Sequence, residues 1–165
     1  MDRRHMISSI VIVALVVMAL ILIRSTGAEE SESNNLMHSL RDMAVLQGEV
    51  PEQTALPTLI VAWNTGCPSC VHELRHLKEH YDALQDSVHV VAVNLTRTER
   101  NLETVEQFLA EENLPFTVLA DKEGDLTEHL TFRFIPANFL FEPDGELIES
   151  QEGLIEVQTL RNWLR

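Results

Sequence analysis

Residues 58–70 read Thr58-Leu59-Ile60-Val61-Ala62-Trp63-Asn64-Thr65-Gly66-Cys67-Pro68-Ser69-Cys70. The first six form a short, β-rich apolar run of the kind a strand buried on both faces requires. Three polar or small residues follow. Pro68 then stands where the first turn of a helix begins, a position proline favours because its missing N–H needs no partner there. From there Leu74, Leu77, Tyr81 and Leu84 recur at helical spacing and predict a helix to about Leu84. Strand, turn and helix start thus converge on one pair of cysteines.

Working outward, His89-Val90-Val91-Ala92-Val93-Asn94 reads as a second buried strand, and residues 101–112 as a helix through Leu102, Val105, Phe108 and Leu109. Phe116–Leu119 is a third strand, and a short helix near 125–130 leads to Phe132-Arg133-Phe134-Ile135-Pro136. Asn138–Phe141, a Pro143-Asp144-Gly145 turn and Glu146–Glu149 make a hairpin, and a last helix covers about 155–164. On the N-terminal side, Leu36, Leu40, Met43 and Leu46 keep a helical period, so 34–47 reads as an amphipathic helix. The order β-α-β-α-β, then β-β-α, predicts an α/β domain with a mixed sheet flanked by helices.

The chain has only two cysteines, Cys67 and Cys70. A disulfide closing so short a loop adds little chain-entropy stabilisation, so chemistry explains the pair better than stability does. At a helix N-terminus, free N–H groups and the macrodipole favour a thiolate, which is the nucleophile in thiol–disulfide exchange. Geometry then divides the work: Cys67 attacks, Cys70 resolves, and Pro68 stiffens the loop between them. Glu73 lies one turn beyond Cys70 at the edge of the apolar stripe. It reads either as a partly buried carboxylate that shuttles the Cys70 proton or as a solvent-facing helix residue. A zinc site would need two ligands beyond the pair. His72, His76 and His80 form a row centred about 110° from the apolar stripe, read as solvated surface, and no metal ligand is assigned. A peroxidase is disfavoured because Asn64, not Thr or Ser, stands three residues before Cys67.

Met6–Ile23 is an 18-residue apolar run. As a helix it reaches about 27 Å, enough to span a hydrocarbon core. Arg3 and Arg4 precede it and keep the N-terminus cytoplasmic. Residues 1–24 therefore read as a signal anchor, with cleavage after the small-residue stretch Thr26-Gly27-Ala28 as the competing reading; both export the domain. Residues 25–53 read as an acidic spacer with the amphipathic helix, and 54–165 as the folded domain. The formal net charge of −14 argues against nucleic-acid binding.

The combination Trp63-x-x-x-Cys67-Pro68-x-Cys70, Glu73, the strand Val90–Asn94, Ile135-Pro136-x-x-Phe139-Leu140 and Asp144-Gly145 resembles the TlpA/ResA/DsbE branch of thioredoxin-like proteins over about residues 55–165. The resemblance implies a thioredoxin-like fold and an extracytoplasmic thiol–disulfide oxidoreductase that needs no cofactor. Its partners would be a disulfide-bearing protein substrate and an integral-membrane electron donor. It often reduces disulfides, including the Cys-x-x-Cys-His pair of apocytochrome c. It implies that Cys67 attacks, Cys70 resolves and Glu73 is the acidic residue of the active-site helix. It places Trp63, Pro68, Ile135 and Pro136 on the substrate side, with Pro136 in a cis bond and Ile135 offering backbone hydrogen bonds. Three departures stand out. Gly66 replaces a second Trp, Val61 replaces the buried Asp of thioredoxins proper, and the 34–47 helix takes the place of an N-terminal hairpin. A disulfide oxidase or isomerase, and a metal carrier using the same cysteines with a histidine, remain rival readings.

Overall fold

The computed structural model describes residues 36–50 and 55–165, together with Met18. The anchor at 1–24, Met18 apart, and the spacer up to residue 35 lie outside the described residues. Among the described residues no helix is long and apolar enough to cross a membrane.

The strands are β1 (Ala44–Gln47), β2 (Thr58–Trp63), β3 (His89–Asn94), β4 (Thr117–Ala120), β5 (Ala137–Phe141) and β6 (Leu147–Glu152). The helices are α1 (36–42), α2 (Pro68–Glu79), α3 (Leu102–Glu112), α4 (Asp125–His129) and α5 (Val157–Trp163). One six-stranded sheet runs in the order β1-β4-β3-β2-β5-β6. The centre β4-β3-β2 is parallel, while β1, β5 and β6 pair antiparallel. The mixed α/β architecture expected from the element order is the one found.

Side-chain alternation along β2 builds two cores. Leu59, Val61 and Trp63 face α2, α3 and α5, whereas Ile60 and Ala62 face α1 and α4. β2 and β3 are buried almost end to end, which is why both read as unbroken apolar runs. The register sets Asn138 of β5 opposite Val61 of β2. A polar side chain therefore enters the sheet next to the position where the sequence lacks the expected Asp.

Two expectations need correction. The 34–47 segment is not one helix: α1 ends at residue 42, and Ala44–Gln47 forms β1, with Ala44 opposite Ala120 and Val45 opposite Leu119. Leu36, Leu40 and Met43 are buried as the helical period requires. The free edge of β4 nevertheless captures the next residues, and edge pairing overrides the weak local preference. A strand thus precedes Thr58 after all. Helix α2 also stops earlier than Leu84. His80 leaves helical geometry (φ −108, ψ 5), and Tyr81–Ala83 continue as a 3-10 turn that still buries Leu84. The apolar stripe survives because both geometries return a residue to the same side within three or four positions.

Candidate active site

Cys67 is the N-cap of α2, with Pro68 in the first turn. Its sulfur accepts the Cys70 backbone N–H at 3.1 Å, and the Ser69 hydroxyl lies 3.3 Å away. Cys67 and Cys70 are joined as a disulfide, with Cα atoms 5.2 Å apart. Their exposures differ: Cys67 is half-buried, while Cys70 is sealed in the core. Of the two sulfurs, only that of Cys67 is open to an incoming molecule. The Ile135–Pro136 bond is cis, and the Ile135 carbonyl oxygen lies 3.6 Å from Cys67 Sγ. Pro68, Ile135 and Pro136 thus belong to the neighbourhood in which the sequence grouped them. Trp63 does not. It is fully buried, its ring centroid 5.2 Å from that of Phe108, and it supports the motif from beneath instead of meeting substrate.

Glu73 settles onto the inward side of α2. It is fully buried, and neither carboxyl oxygen has a hydrogen-bond partner of ordinary geometry among the described residues. Burial pushes its pKa from 4.5 up to about 8, and the nearby Asn138 amide and Ile155 backbone offset only part of that. Asn138 is itself buried. Its Nδ2 donates to the Gly153 carbonyl at 3.0 Å, and its Oδ1 is unpartnered. Where β2 offers Val61, the buried acid comes from the helix instead. At neutral pH this carboxyl is largely protonated, with a pKa close enough to 7 to give and take a proton readily.

Two loops hold the motif, and the sequence did not single out the residues that fix them. Glu99 accepts the Thr65 N–H at 2.7 Å, the Thr65 hydroxyl at 2.5 Å and Asn94 Nδ2 at 2.8 Å. Asn64 Nδ2 donates to Thr98 Oγ1 at 2.9 Å. Hydrogen bonds to a charged acceptor are worth about 1.5–3 kcal/mol each, so Glu99 is a firm anchor for the residues before Cys67. The signal was present in the polar run Asn94–Glu99 at the C-terminal end of a buried strand, where α/β sheets place their sites. On the other side, the Glu152 carboxylate accepts the N–H groups of Arg133 and Phe134 at 3.0 and 3.1 Å. Phe134, held just before Ile135, is 70 % exposed. Around Gly66 the surface is open: a Cβ there would meet only Asn64 Oδ1, at 3.6 Å.

Comparison with known proteins agrees with this geometry. Residues 47–150 match the model of the AhpC/TSA family. Sporulation thiol-disulfide oxidoreductase A of Bacillus subtilis is 30% identical over 141 residues, covering 83% of this chain and 85% of that protein. Thiol-disulfide oxidoreductase YkuV of the same organism is 30% identical over 117 residues, covering 68% and 79%. The crystal structure of StoA from Bacillus subtilis superposes with a TM-score of 0.66 at 31% identity, covering 74% of this chain and 94% of that one. An accessible cysteine on a helix N-terminus, closed onto a buried second cysteine, is what such enzymes need, and the chain belongs to the AhpC/TSA family as a thiol–disulfide oxidoreductase.

Proposed function

We propose that the protein reduces protein disulfides outside the cytoplasm, held at the membrane by residues 1–24 and recharged by an integral-membrane electron donor. The observation that carries the reductive direction is the lack of a positive charge between the two cysteines. An oxidant of this class is strong because its reduced, thiolate form is stabilised. Here the thiolate at Cys67 would have the Cys70 N–H, the Ser69 hydroxyl and the helix end for support. Pro68 and Ser69 between the cysteines bring no positive charge, and a buried carboxyl lies one turn behind Cys70. That environment favours the disulfide and lowers the potential.

In the forward step, the Cys67 thiolate attacks one sulfur of the substrate disulfide. That bond breaks, and the other substrate sulfur leaves as a thiolate and takes a proton. In the minority of molecules in which Glu73 is ionised at neutral pH, Cys70 then passes its proton to the Glu73 carboxylate and attacks Cys67 Sγ. The second substrate sulfur departs as a thiolate and takes the proton held by Glu73, and the Cys67–Cys70 disulfide is left. Two electrons and two protons from the donor restore the dithiol. The Cys-x-x-Cys-His pair of an apocytochrome is the client class suggested by the sequence resemblance, and the acidic surface favours a basic client.

The test is the reduction potential of the full chain, read by tryptophan fluorescence across thiol–disulfide buffers. A value near about −270 mV supports the reductase, and one near about −120 mV replaces it with an oxidase.

A further inference from the structure

The C-terminal end of α2 carries a second cluster of chemically active side chains, well away from the cysteines along the helix. The ligand atoms of His76, Glu79 and His80 all lie within 4.8 Å of one another. A helical wheel places this histidine row on a solvated face. The wheel omits that α2 ends at Glu79, so that His80 sits in the cap, its ring centroid 4.5 Å from that of His76 and tilted by 56°. His80 Nδ1–H donates to the His76 carbonyl at 2.9 Å, which leaves the lone pair of the neutral ring on Nε2. A metal-ligating imidazole generally makes just such a bond through its other nitrogen. His76 Nε2 is shielded from solvent and has no hydrogen-bond partner among the described residues. The Glu156 carboxylate stands 3.9 Å from it, too far for a hydrogen bond.

We propose that His76, Glu79 and His80 bind one divalent transition-metal ion of the zinc type, with water or Glu156 completing its coordination. Two imidazoles one turn apart on a helix, joined by a carboxylate, make a borderline-soft N/O donor set that suits Zn²⁺ and its neighbours. Mg²⁺ and Ca²⁺ prefer oxygen alone. The electrostatics agree. The site lies at the negative end of the α2 macrodipole, beside Glu79 and Glu156. The nearest cations on the helix, Arg75 and Lys78, are drawn away to Glu112 on α3. The ion would tie the last turn of the active-site helix to the start of α5, and it needs neither cysteine.

The experiment is calorimetric titration of ZnCl₂ into the full chain with Cys67–Cys70 closed as a disulfide, which removes both thiols as ligands. Saturable binding near one ion per chain is expected, in roughly the micromolar range, with no binding of Mg²⁺ at the same concentration. His76→Ala and His80→Ala should each weaken it about tenfold or more, Glu79→Gln should weaken it less, and His72→Ala should leave it unchanged. The Cys67→Ser/Cys70→Ser double variant should bind as wild type. Absence of saturable binding overturns the proposal. So does binding that survives His76→Ala/His80→Ala, or a loss in His72→Ala equal to that in His80→Ala. None of these outcomes bears on the reductase reading, because the redox pair is locked throughout.

Discussion

At its N-terminal end α2 presents Cys67 to solvent with backbone N–H groups around the sulfur, whereas at its C-terminal end it presents two imidazoles and a carboxylate beside Glu156. One twelve-residue helix thus offers an anion-stabilising end and a cation-stabilising end, as its macrodipole dictates. The reactive groups at the upper end are fixed from three sides, by Glu99, by Glu152 and by the core around Cys70. Those at the lower end are held mainly by one another. The difference teaches that the helix supplies polarity to both ends, while precision comes from the loops that pack against only one.

The sharpest way to break this comparison is Cys67→Ser. Disulfide reduction should fall by about a thousandfold or more, because the serine hydroxyl is not ionised at neutral pH and cannot replace the thiolate. Zinc binding at the other end should not change. Turnover of a disulfide peptide, measured next to the zinc titration, checks both halves.

Glu73→Gln gives a smaller effect with a definite sign. The unfolded chain releases this proton near 4.5, whereas the folded chain keeps it until about 8. The contribution of Glu73 to stability therefore falls as pH rises through that window, and is level below and above it. The glutamine has no proton to lose. Unfolding free energies of the oxidised proteins from urea titrations should move in favour of Glu73→Gln by a few kcal/mol between pH 4 and pH 8, whatever constant offset the amide brings. Parallel pH curves would remove Glu73 as the proton-holding residue. The smallest change is expected for Phe134→Ala. Loss of an exposed ring next to Ile135 should raise KM for a peptide substrate roughly two- to fivefold with kcat nearly unchanged, as loss of a contact made equally in ground and transition states does.

Much of this was legible in the sequence. The strands 58–63 and 89–94 were read at their true ends because full burial on both faces leaves an unbroken apolar run bounded by polar residues. Cys67 and Cys70 stood out as the chain's only cysteines, three apart at a helix start, while helical geometry put Glu73 at the edge of the apolar stripe and left its burial open. The cis bond at Pro136 was written only in the resemblance. Strand β1 was hidden because Leu46 fits a helical period as well as a strand, and only the vacant edge of β4 decides between them. Trp63 was grouped with the substrate side because the resemblance includes it in the motif, yet it ends a buried strand and faces inward. Glu99 and Glu152 escaped notice for a common reason. Each acts on backbone N–H groups more than 15 residues distant, and nothing local in the sequence marks a carboxylate as the far end of such a bond.

Strand β6 closes one side of the sheet, and along it Leu147 and Ile148 are partly exposed. A bare rim of that kind invites a second molecule to add its own strand and begin a fibril. Here the aliphatic pair is bracketed by Glu146, Glu149 and Glu152, each exposed. Two such rims brought together would set rows of like charge against each other. The acidity that sets the chain's overall charge therefore also protects it from self-templated aggregation, and Glu152 serves in that guard while it holds the loop in front of Pro136.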